Sequence, residues 1–140
     1  MAPLPSKEDV AKRKTAKRAL GDLGEDIAIR FLAQRGFLVL ERNFLTRWGE
    51  LDVIAQRASG SADALVLHFI EVKTAQVAAN GPAPEEHLTP DKLASLGKAI
   101  EIYRSKRRVF DFSYQLDAVI VRIDLEEREA RVRYLPNVHL

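Results

Sequence analysis

The segment LVLHFIEVKT, residues 65–74, constrains the fold of this 140-residue chain more than any other stretch. Its apolar side chains occupy both faces of an extended run, as expected of a strand that is covered on both sides. Two charged residues, Glu71 and Lys73, stand at its end. Because strand side chains alternate in direction, both lie on one face, with Cα atoms about 6.5–7 Å apart. The pattern predicts a central strand that ends in a carboxylate and an ammonium group at the rim of a sheet.

Upstream of this segment the pattern is helical and then extended. A long helix is expected from about Glu8 to Gln34, ended by Gly36 in a position that helix C-termini favour. Its expected apolar stripe consists of Leu20, Leu23, Ile27 and Phe31. Three strands are expected to follow, over Phe37–Glu41, Glu50–Gln56 and Ala64–Thr74. The small and polar segment 57–63 predicts a turn that joins the last two strands in a hairpin.

Downstream, residues 75–89 predict a long loop, of the kind that is often functional. A second helix is then expected, with Thr89 as N-cap and Pro90 at the first helical position. Its expected buried face consists of Leu93, Leu96, Ile100 and Tyr103. Two further strands, Tyr114–Ile123 and Ala130–Leu135, complete the order α-β-β-β-α-β-β. We expect a single domain over residues 20–140, preceded by a basic arm or helix start over residues 1–19.

The composition excludes several classes of site. The chain has no cysteine, so disulfides, thiolate zinc sites and cysteine nucleophiles are excluded. The first residues lack the apolar core of a signal peptide, and no apolar run approaches the roughly 20 residues that a membrane span requires. We therefore expect a cytoplasmic protein without a membrane segment.

The charges are nearly balanced, with 22 basic and 20 acidic residues, but the basic ones are clustered. Residues 1–20 contain the first cluster: Lys7, Lys12, Arg13, Lys14, Lys17 and Arg18. Residues 91–108 contain the second: Lys92, Lys98, Arg104, Lys106, Arg107 and Arg108. Two such clusters favour a polyanionic partner, although solvated helix faces produce the same pattern.

Acidic residues from three elements are the candidate metal ligands. If the second and third strands pair as a hairpin, Asp52 approaches Glu71, and a divalent cation relieves their mutual repulsion. Glu25 lies at the margin of the first helix's apolar side and is the third candidate. Hard oxygen ligands suit Mg²⁺, which with Lys73 would support phosphodiester hydrolysis. Taken singly, each residue has a simpler reading, since Glu-x-Lys on a strand is usually an exposed ion pair.

Other residues near these positions leave alternatives open. Glu50 is either an additional ligand or an exposed strand acid. Trp48 is either a partly buried packing residue or a stacking surface for a base. Asp117 either supports Lys73 or a basic helix, or is a strand-end acid, and His68 is expected to pack away from Glu71.

The segments GDLGEDIAIRFLAQRGFLVLERN, GELDVIA, FIEVKT and TPDKLASLGKAIEIY, in this order, resemble the bacterial YraN family, whose members are regarded as endonucleases. That family is similar to archaeal Holliday-junction resolvases and to the PD-(D/E)XK superfamily with its restriction-endonuclease-like fold. The resemblance covers about residues 20–123. It implies an αβββαβ core with a mixed central sheet flanked by helices, here followed by an extra C-terminal strand.

The resemblance also implies an activity and its residues. The matching catalytic positions are Glu25, Asp52, Glu71 and Lys73, with Glu25, Asp52 and Glu71 as ligands of Mg²⁺ or Mn²⁺. The expected partner is DNA, with branched or recombination-intermediate DNA as the expected substrate. Lys92 matches a basic position of the family, and Lys17, Arg18 and Lys98 of the two basic clusters are the other candidate nucleic-acid contacts. Nucleases of this kind commonly act as dimers, so a homodimer is an open alternative.

One position departs from the family pattern. The family often has an arginine after Val-Lys-Thr, whereas Ala75 stands there in this chain. A phosphate contact is therefore missing, which keeps a second function open: a nucleic-acid-binding or recombination accessory protein that has the fold but does little chemistry. A protein-interaction module is a third, weaker alternative.

Overall fold

The computed structural model describes residues 4–58, 65–77 and 88–138. These residues form two helices and five strands in the predicted order, and they confirm the mixed α/β fold. The elements are α1 (Lys7–Gln34), β1 (Leu38–Thr46), β2 (Gly49–Ala58), β3 (Leu65–Gln76), α2 (Pro90–Arg107), β4 (Ser113–Asp124) and β5 (Glu129–Leu135). Most of the predicted 57–63 turn and of the 75–89 loop lies outside the described residues.

The five strands form one sheet in the order β1-β2-β3-β4-β5. All neighbours are antiparallel except β3 and β4, which are parallel and are connected through α2. The predicted hairpin of β2 and β3 is confirmed, with Val53 paired to Ile70 and Gln56 to Leu67. β3 is therefore the central strand, and its carboxyl end carries Glu71 and Lys73.

A helix covers each face of the sheet. On one face α1 packs Ala28 and Leu32 against Ile70 and Val72 of β3. On the other face α2 packs Leu96 and Ile100, with Ala99 and Tyr103, against Leu67 and Phe69 of the same strand. Burial on both faces explains why β3 has an almost continuous apolar sequence.

The helix ends follow the predicted signals. Ser6 and Asp9 cap the start of α1 reciprocally, and Gly36 follows its end with φ of +86°. Thr89 accepts a hydrogen bond from the Lys92 amide at the start of α2, where Pro90 is the first helical residue. The predicted caps at Gly36 and Thr89 are thus confirmed.

The predicted apolar stripe of α1 is partly wrong. Its residues Leu20, Ile27 and Phe31 are half-buried, but Leu23 is 43% exposed. The buried positions are instead Gly24, Ala28 and Leu32. Small residues at the contact line allow the helix axis to approach the sheet closely, so the largest apolar side chains lie beside the contact line.

Asp117 lies in β4 at the centre of a buried polar network. Its carboxylate is fully buried and accepts hydrogen bonds from His68 Nδ1 at 2.6 Å, the Tyr134 hydroxyl at 2.7 Å, Gln115 Nε2 at 2.7 Å and the Asn137 amide at 2.9 Å. Burial acts to raise the pKa of Asp117, but these four donors outweigh it and the pKa is lowered. Asp117 therefore supports neither Lys73 nor a basic helix, as the sequence had allowed.

We expect Asp117→Asn to destabilise the fold by roughly 2–4 kcal/mol, because an amide group turns a donor toward buried donors. The lowered folded-state pKa means that the Asp117 contribution is complete above the unfolded value near 3.8 and is lost as the pH falls further. Urea unfolding at pH 7 and pH 3 measures both effects. Asp111→Asn, at an exposed turn position, is the control, and an equal effect of both variants would contradict the assignment.

Candidate metal centre

The site begins where the pairing of β2 and β3 ends. Beyond the pair Val53–Ile70, the next free amide on β3 is that of Val72, and it donates to Asp52 Oδ2 at 2.8 Å. This bond replaces a missing ladder bond and turns the Asp52 carboxylate toward β3. Glu71 lies close enough for its charge to raise the pKa of Asp52. The predicted approach of Asp52 to Glu71 is thus present.

Three carboxylates form one close group. Glu25 of α1, Glu50 of β2 and Asp52 each offer an oxygen, and these oxygens all lie within 4.8 Å of one another. Oxygen donors at this separation are able to hold a metal ion. Glu71 is not a member of this group of three. Glu50, which the sequence left open, is therefore the third member, and Asp52 connects the group to Glu71.

Asn43 of β1 holds two of these acids. Its side-chain amide donates to Glu25 Oε1 at 2.8 Å and to Glu50 Oε1 at 2.7 Å. Its backbone has φ of +54°, a left-handed conformation that asparagine tolerates better than most residues. The sequence interpretation missed Asn43. Its signal is an asparagine inside a strand, where this residue type is depleted.

The site also departs from regular strand alternation. Leu51 packs with Ile54 on the α2 side of the sheet, whereas Val53 packs on the α1 side. Regular alternation would place Leu51 and Val53 on one face, so the strand is irregular between them. Across β1 and β2, the left-handed Asn43 lies between the pairs Phe44–Leu51 and Arg42–Val53, opposite Asp52. The local twist turns both polar side chains toward Glu25.

Two ammonium groups contact Glu71. Lys73 Nζ lies 3.3 Å and Lys92 Nζ 3.6 Å from Glu71 Oε1. The second oxygen, Oε2, is buried and has no hydrogen-bond partner among the described residues. Since an unpartnered buried carboxylate oxygen is costly, a bound cation at this position would compensate it. Glu71 and Lys73 are adjacent on one face as predicted.

The pKa values reflect this crowding of acids. Burial, together with the negative charge of Glu71, raises the pKa of Asp52 to about 8. Burial also raises the pKa of Glu25, with a smaller contribution from the charge of Glu50. A cation that neutralises the group lowers both values, because it stabilises the charged form of each acid.

Gly24 sets the distance between α1 and the site. A Cβ atom at this position would lie 1.9 Å from Thr74 Oγ1 and 2.7 Å from Thr74 Cβ. The helix thus packs directly on the strand that carries Glu71 and Lys73. Because Glu25 follows Gly24 in the chain, this close contact brings its carboxylate to Asp52.

The predicted nucleic-acid contacts fall into two classes. Lys17 and Arg18 are exposed on α1. Lys92 contacts Glu71, and Lys98 Nζ lies 3.9 Å from the centre of the Trp48 ring. Trp48 is 38% exposed and belongs to the exposed large apolar residues, so packing and base stacking both stay open for it. The basic cluster of α2 is largely engaged within the protein, whereas that of α1 is not.

The remaining α2 cations show the same engagement. Arg107 forms two hydrogen bonds with Glu41, at 2.6 and 2.9 Å, and Arg104 bonds Glu101 at 3.0 Å.

Neither described helix has an apolar stretch of the length needed to cross a bilayer.

The profile described as "Uncharacterised protein family UPF0102" matches residues 24–125. The chain belongs to this family. The UPF0102 match covers every residue of the carboxylate group and both lysines beside Glu71.

Individual UPF0102 relatives extend over most of the chain. The UPF0102 protein of Sulfurovum sp. (strain NBC37-1) is 38% identical over 124 residues, 88% of this chain and 96% of the relative. That of Syntrophomonas wolfei is 36% identical over 121 residues, 86% of this chain and 96% of the relative. The resemblance to YraN proteins is thereby confirmed at the level of the family. The endonuclease affiliation stays a prediction.

One solved structure has a distant likeness to the fold. It is that of Pyrococcus furiosus SfsA in complex with Ca²⁺, at 12% identity and a TM-score of 0.34, over 89% of this chain and 65% of that one. At this TM-score the likeness carries no inference about this protein.

Proposed function

We propose that this UPF0102 protein is a metal-dependent endonuclease that hydrolyses phosphodiester bonds in DNA. The observation that carries the proposal is the convergence of Asp52 and Glu71, from paired strands, with Lys73 3.3 Å from Glu71. Glu25 and Glu50 add two more carboxylates from neighbouring elements. This combination of hard acids and one amine at an open sheet end suits the hydrolysis of an anionic phosphodiester.

The carboxylates would hold the metal. Glu25, Glu50 and Asp52 offer the grouped oxygens, and Glu71 Oε2 is a buried oxygen without a hydrogen-bond partner among the described residues. These donors fit Mg²⁺ or Mn²⁺. When bound, such an ion lowers the pKa of a water ligand and neutralises charge on the phosphate.

Phosphate binding and charge stabilisation are assigned to side chains of the protein. Glu71 fixes the Lys73 ammonium, which donates to a phosphate oxygen and stabilises the charge that develops there. Lys92, on the same carboxylate, is placed to bind an adjacent phosphate. Asn43 keeps Glu25 and Glu50 together before the ion arrives.

The test is cleavage of branched, single-stranded and duplex DNA with Mg²⁺ or Mn²⁺. Chelation by EDTA is expected to stop the reaction, and Lys73→Ala to slow it at least about 100-fold while DNA still binds. Lys12→Ala is the matched control, because Lys12 pairs with Glu8 on the solvent side of α1. Equal trace activity of the wild type and Lys73→Ala would contradict the enzyme proposal.

A non-catalytic DNA-binding role remains the second candidate, favoured by Ala75 in place of the family arginine and by the exposed cations of α1. It predicts salt-sensitive binding that is unchanged in an Asp52→Asn, Glu71→Gln double variant, and no cleavage with either metal. The same experiment therefore separates the two functions.

A further inference from the structure

The first half of α1 packs on no other element. Every residue from Lys7 to Ala19 is exposed, while the packed part of the helix begins at Leu20. Because Gly24 lies against Thr74 near the carboxyl end of β3, the exposed half projects beyond the end of the sheet that carries the carboxylates. We refer to Lys7–Ala19 as the α1 arm.

The charges of the α1 arm are segregated. At 3.6 residues per turn, five of its six cations fall within an arc of about 140°. These five are Lys7, Arg13, Lys14, Lys17 and Arg18. The acids of the arm lie outside that arc: Glu8 pairs with Lys12 at 3.6 Å, and Asp9 caps the helix at Ser6. Among the described residues no carboxylate pairs with the five cations.

The cationic face is aligned with the metal centre. Glu25 follows Lys7 by about five complete turns, so both project in the same direction, together with Lys14 and Arg18. At 1.5 Å per residue, Arg18 lies about 10 Å, Lys14 about 16 Å and Lys7 about 27 Å from Glu25 along the axis. A row of cations thus leads along one helix to the carboxylate group.

We propose that the α1 arm binds the phosphate backbone of a nucleic acid and directs it to the carboxylate group. The statement that the carboxylate group is the reactive site rests on the function proposed above. The choice of a nucleic acid as the partner rests on the charge of the arm. It defines the substrate: about 27 Å corresponds to about eight base pairs, so the nucleic acid extends that far on one side of the reactive phosphate.

An anionic membrane is the other polyanion that a basic helix binds, but the arm lacks the apolar face that membrane binding requires. Interfacial helices carry a continuous apolar face that enters the lipid. The apolar residues of the arm are Val10, Ala11, Ala16 and Ala19, which point in scattered directions around the helix and form no such face. The arm therefore fits a partner recognised through charge alone.

The test measures the salt dependence of DNA binding by fluorescence anisotropy in EDTA, on 6- and 24-base-pair duplexes chosen to lie below and above the reach of the arm. The triple variant Lys7→Gln, Lys14→Gln, Arg18→Gln is expected to lower the slope of log K against log salt by about 2 to 3 on the long duplex, since each phosphate contact contributes about 0.9. On the short duplex the change is expected to be less than half as large. Circular dichroism checks that the helix is retained.

Single variants provide the matched control. Lys14→Gln and Lys12→Gln remove the same charge two residues apart, but only Lys14 lies on the cationic face. We expect Lys14→Gln to lower the slope by about 1 and Lys12→Gln to leave it nearly unchanged. Equal effects of the two, an unchanged slope in the triple variant, or selective loss of binding to phosphatidylserine vesicles would each overturn the proposal.

The outcome is separable from that of the nuclease test. Binding is measured without metal. If the wild type cleaves no DNA but shows the expected slopes, the nuclease proposal is refuted and the proposal that the arm binds nucleic acid is supported. Conversely, if Lys73→Ala abolishes cleavage but the triple variant leaves the slopes unchanged, the nuclease proposal is supported and the proposal about the arm is refuted.

Discussion

Asp52→Asn is expected to raise the thermal stability of the metal-free protein and to abolish its stabilisation by Mg²⁺ or Mn²⁺. Burial and the adjacent Glu71 raise the pKa of Asp52 to about 8, so at neutral pH the folded protein keeps Asp52 protonated whereas the unfolded chain ionises it, and this difference lowers the stability of the fold. Asparagine is neutral and still accepts the hydrogen bond from the Val72 amide. We expect the free energy of unfolding of the metal-free variant to exceed that of the wild type by on the order of 2–4 kcal/mol.

The pH dependence has a defined sign. The folded-state pKa of Asp52 lies above its unfolded value of about 3.8, so ionisation favours the unfolded chain. The metal-free wild type is therefore expected to lose stability as the pH rises from about 4 to 8. Asp52→Asn is expected to lose much less across that window, since the titrating group is absent.

Thermal unfolding from pH 4 to 8, with and without 5 mM Mg²⁺ or Mn²⁺, measures both effects. A cation at about 100 times its Kd stabilises the wild type by about 2.7 kcal/mol, and Asp52→Asn by nearly nothing. Glu126→Gln, which removes an exposed acid from the β4–β5 turn, is the control. If Asp52→Asn is less stable than the wild type, or responds equally to the ion, the carboxylates are not a metal centre.

Gly24→Ala is expected to destabilise the protein by roughly 3 kcal/mol and to weaken cation binding at the same time. The added methyl group would lie 1.9 Å from Thr74 Oγ1 and 2.7 Å from Thr74 Cβ. Rotation of the Thr74 side chain moves Oγ1 but leaves Cβ in place, so α1 itself must shift. The shift carries Glu25 away from Asp52.

Gly21→Ala is the matched control one turn earlier, because a Cβ atom there has no other atom within 4 Å. It is expected to stabilise α1 by about 0.5–1 kcal/mol, the usual advantage of alanine over glycine inside a helix. Chemical denaturation and calorimetric Mn²⁺ titration of both variants measure the difference. Similar stabilities for the two would show that α1 does not pack on Thr74 as closely as described.

Much of the fold follows from local signals. The caps at Gly36 and Thr89, the apolar run of β3 and the pairing of β2 with β3 could be predicted because each depends on residues close in sequence. The approach of Asp52 to Glu71 follows from that pairing alone. The proximity of these two acids could therefore be predicted from the hairpin sequence alone.

What could not be predicted depends on contacts between distant elements. Leu23 is exposed because the close contact of Gly24 with Thr74 rotates the stripe of α1, and helical periodicity contains no information about that contact. Glu50 joins Glu25 because Asn43 adopts a left-handed conformation and binds both. Strand alternation assumes regular backbone, so it failed at Leu51, next to this irregularity.

The position of β3 in the sheet affects how the metal centre adapts to an ion. The pairing of β3 with β2 ends at Ile70, but its pairing with β4 continues through Glu71, opposite Ala118, as far as Gln76, so the backbone of Glu71 is held by its neighbour in the sheet. Glu25 and Glu50 belong instead to a surface helix and to a strand next to the edge of the sheet. Ions of different radius are therefore expected to be accommodated by movement of Glu25 and Glu50, while the Glu71–Lys73 pair keeps its place.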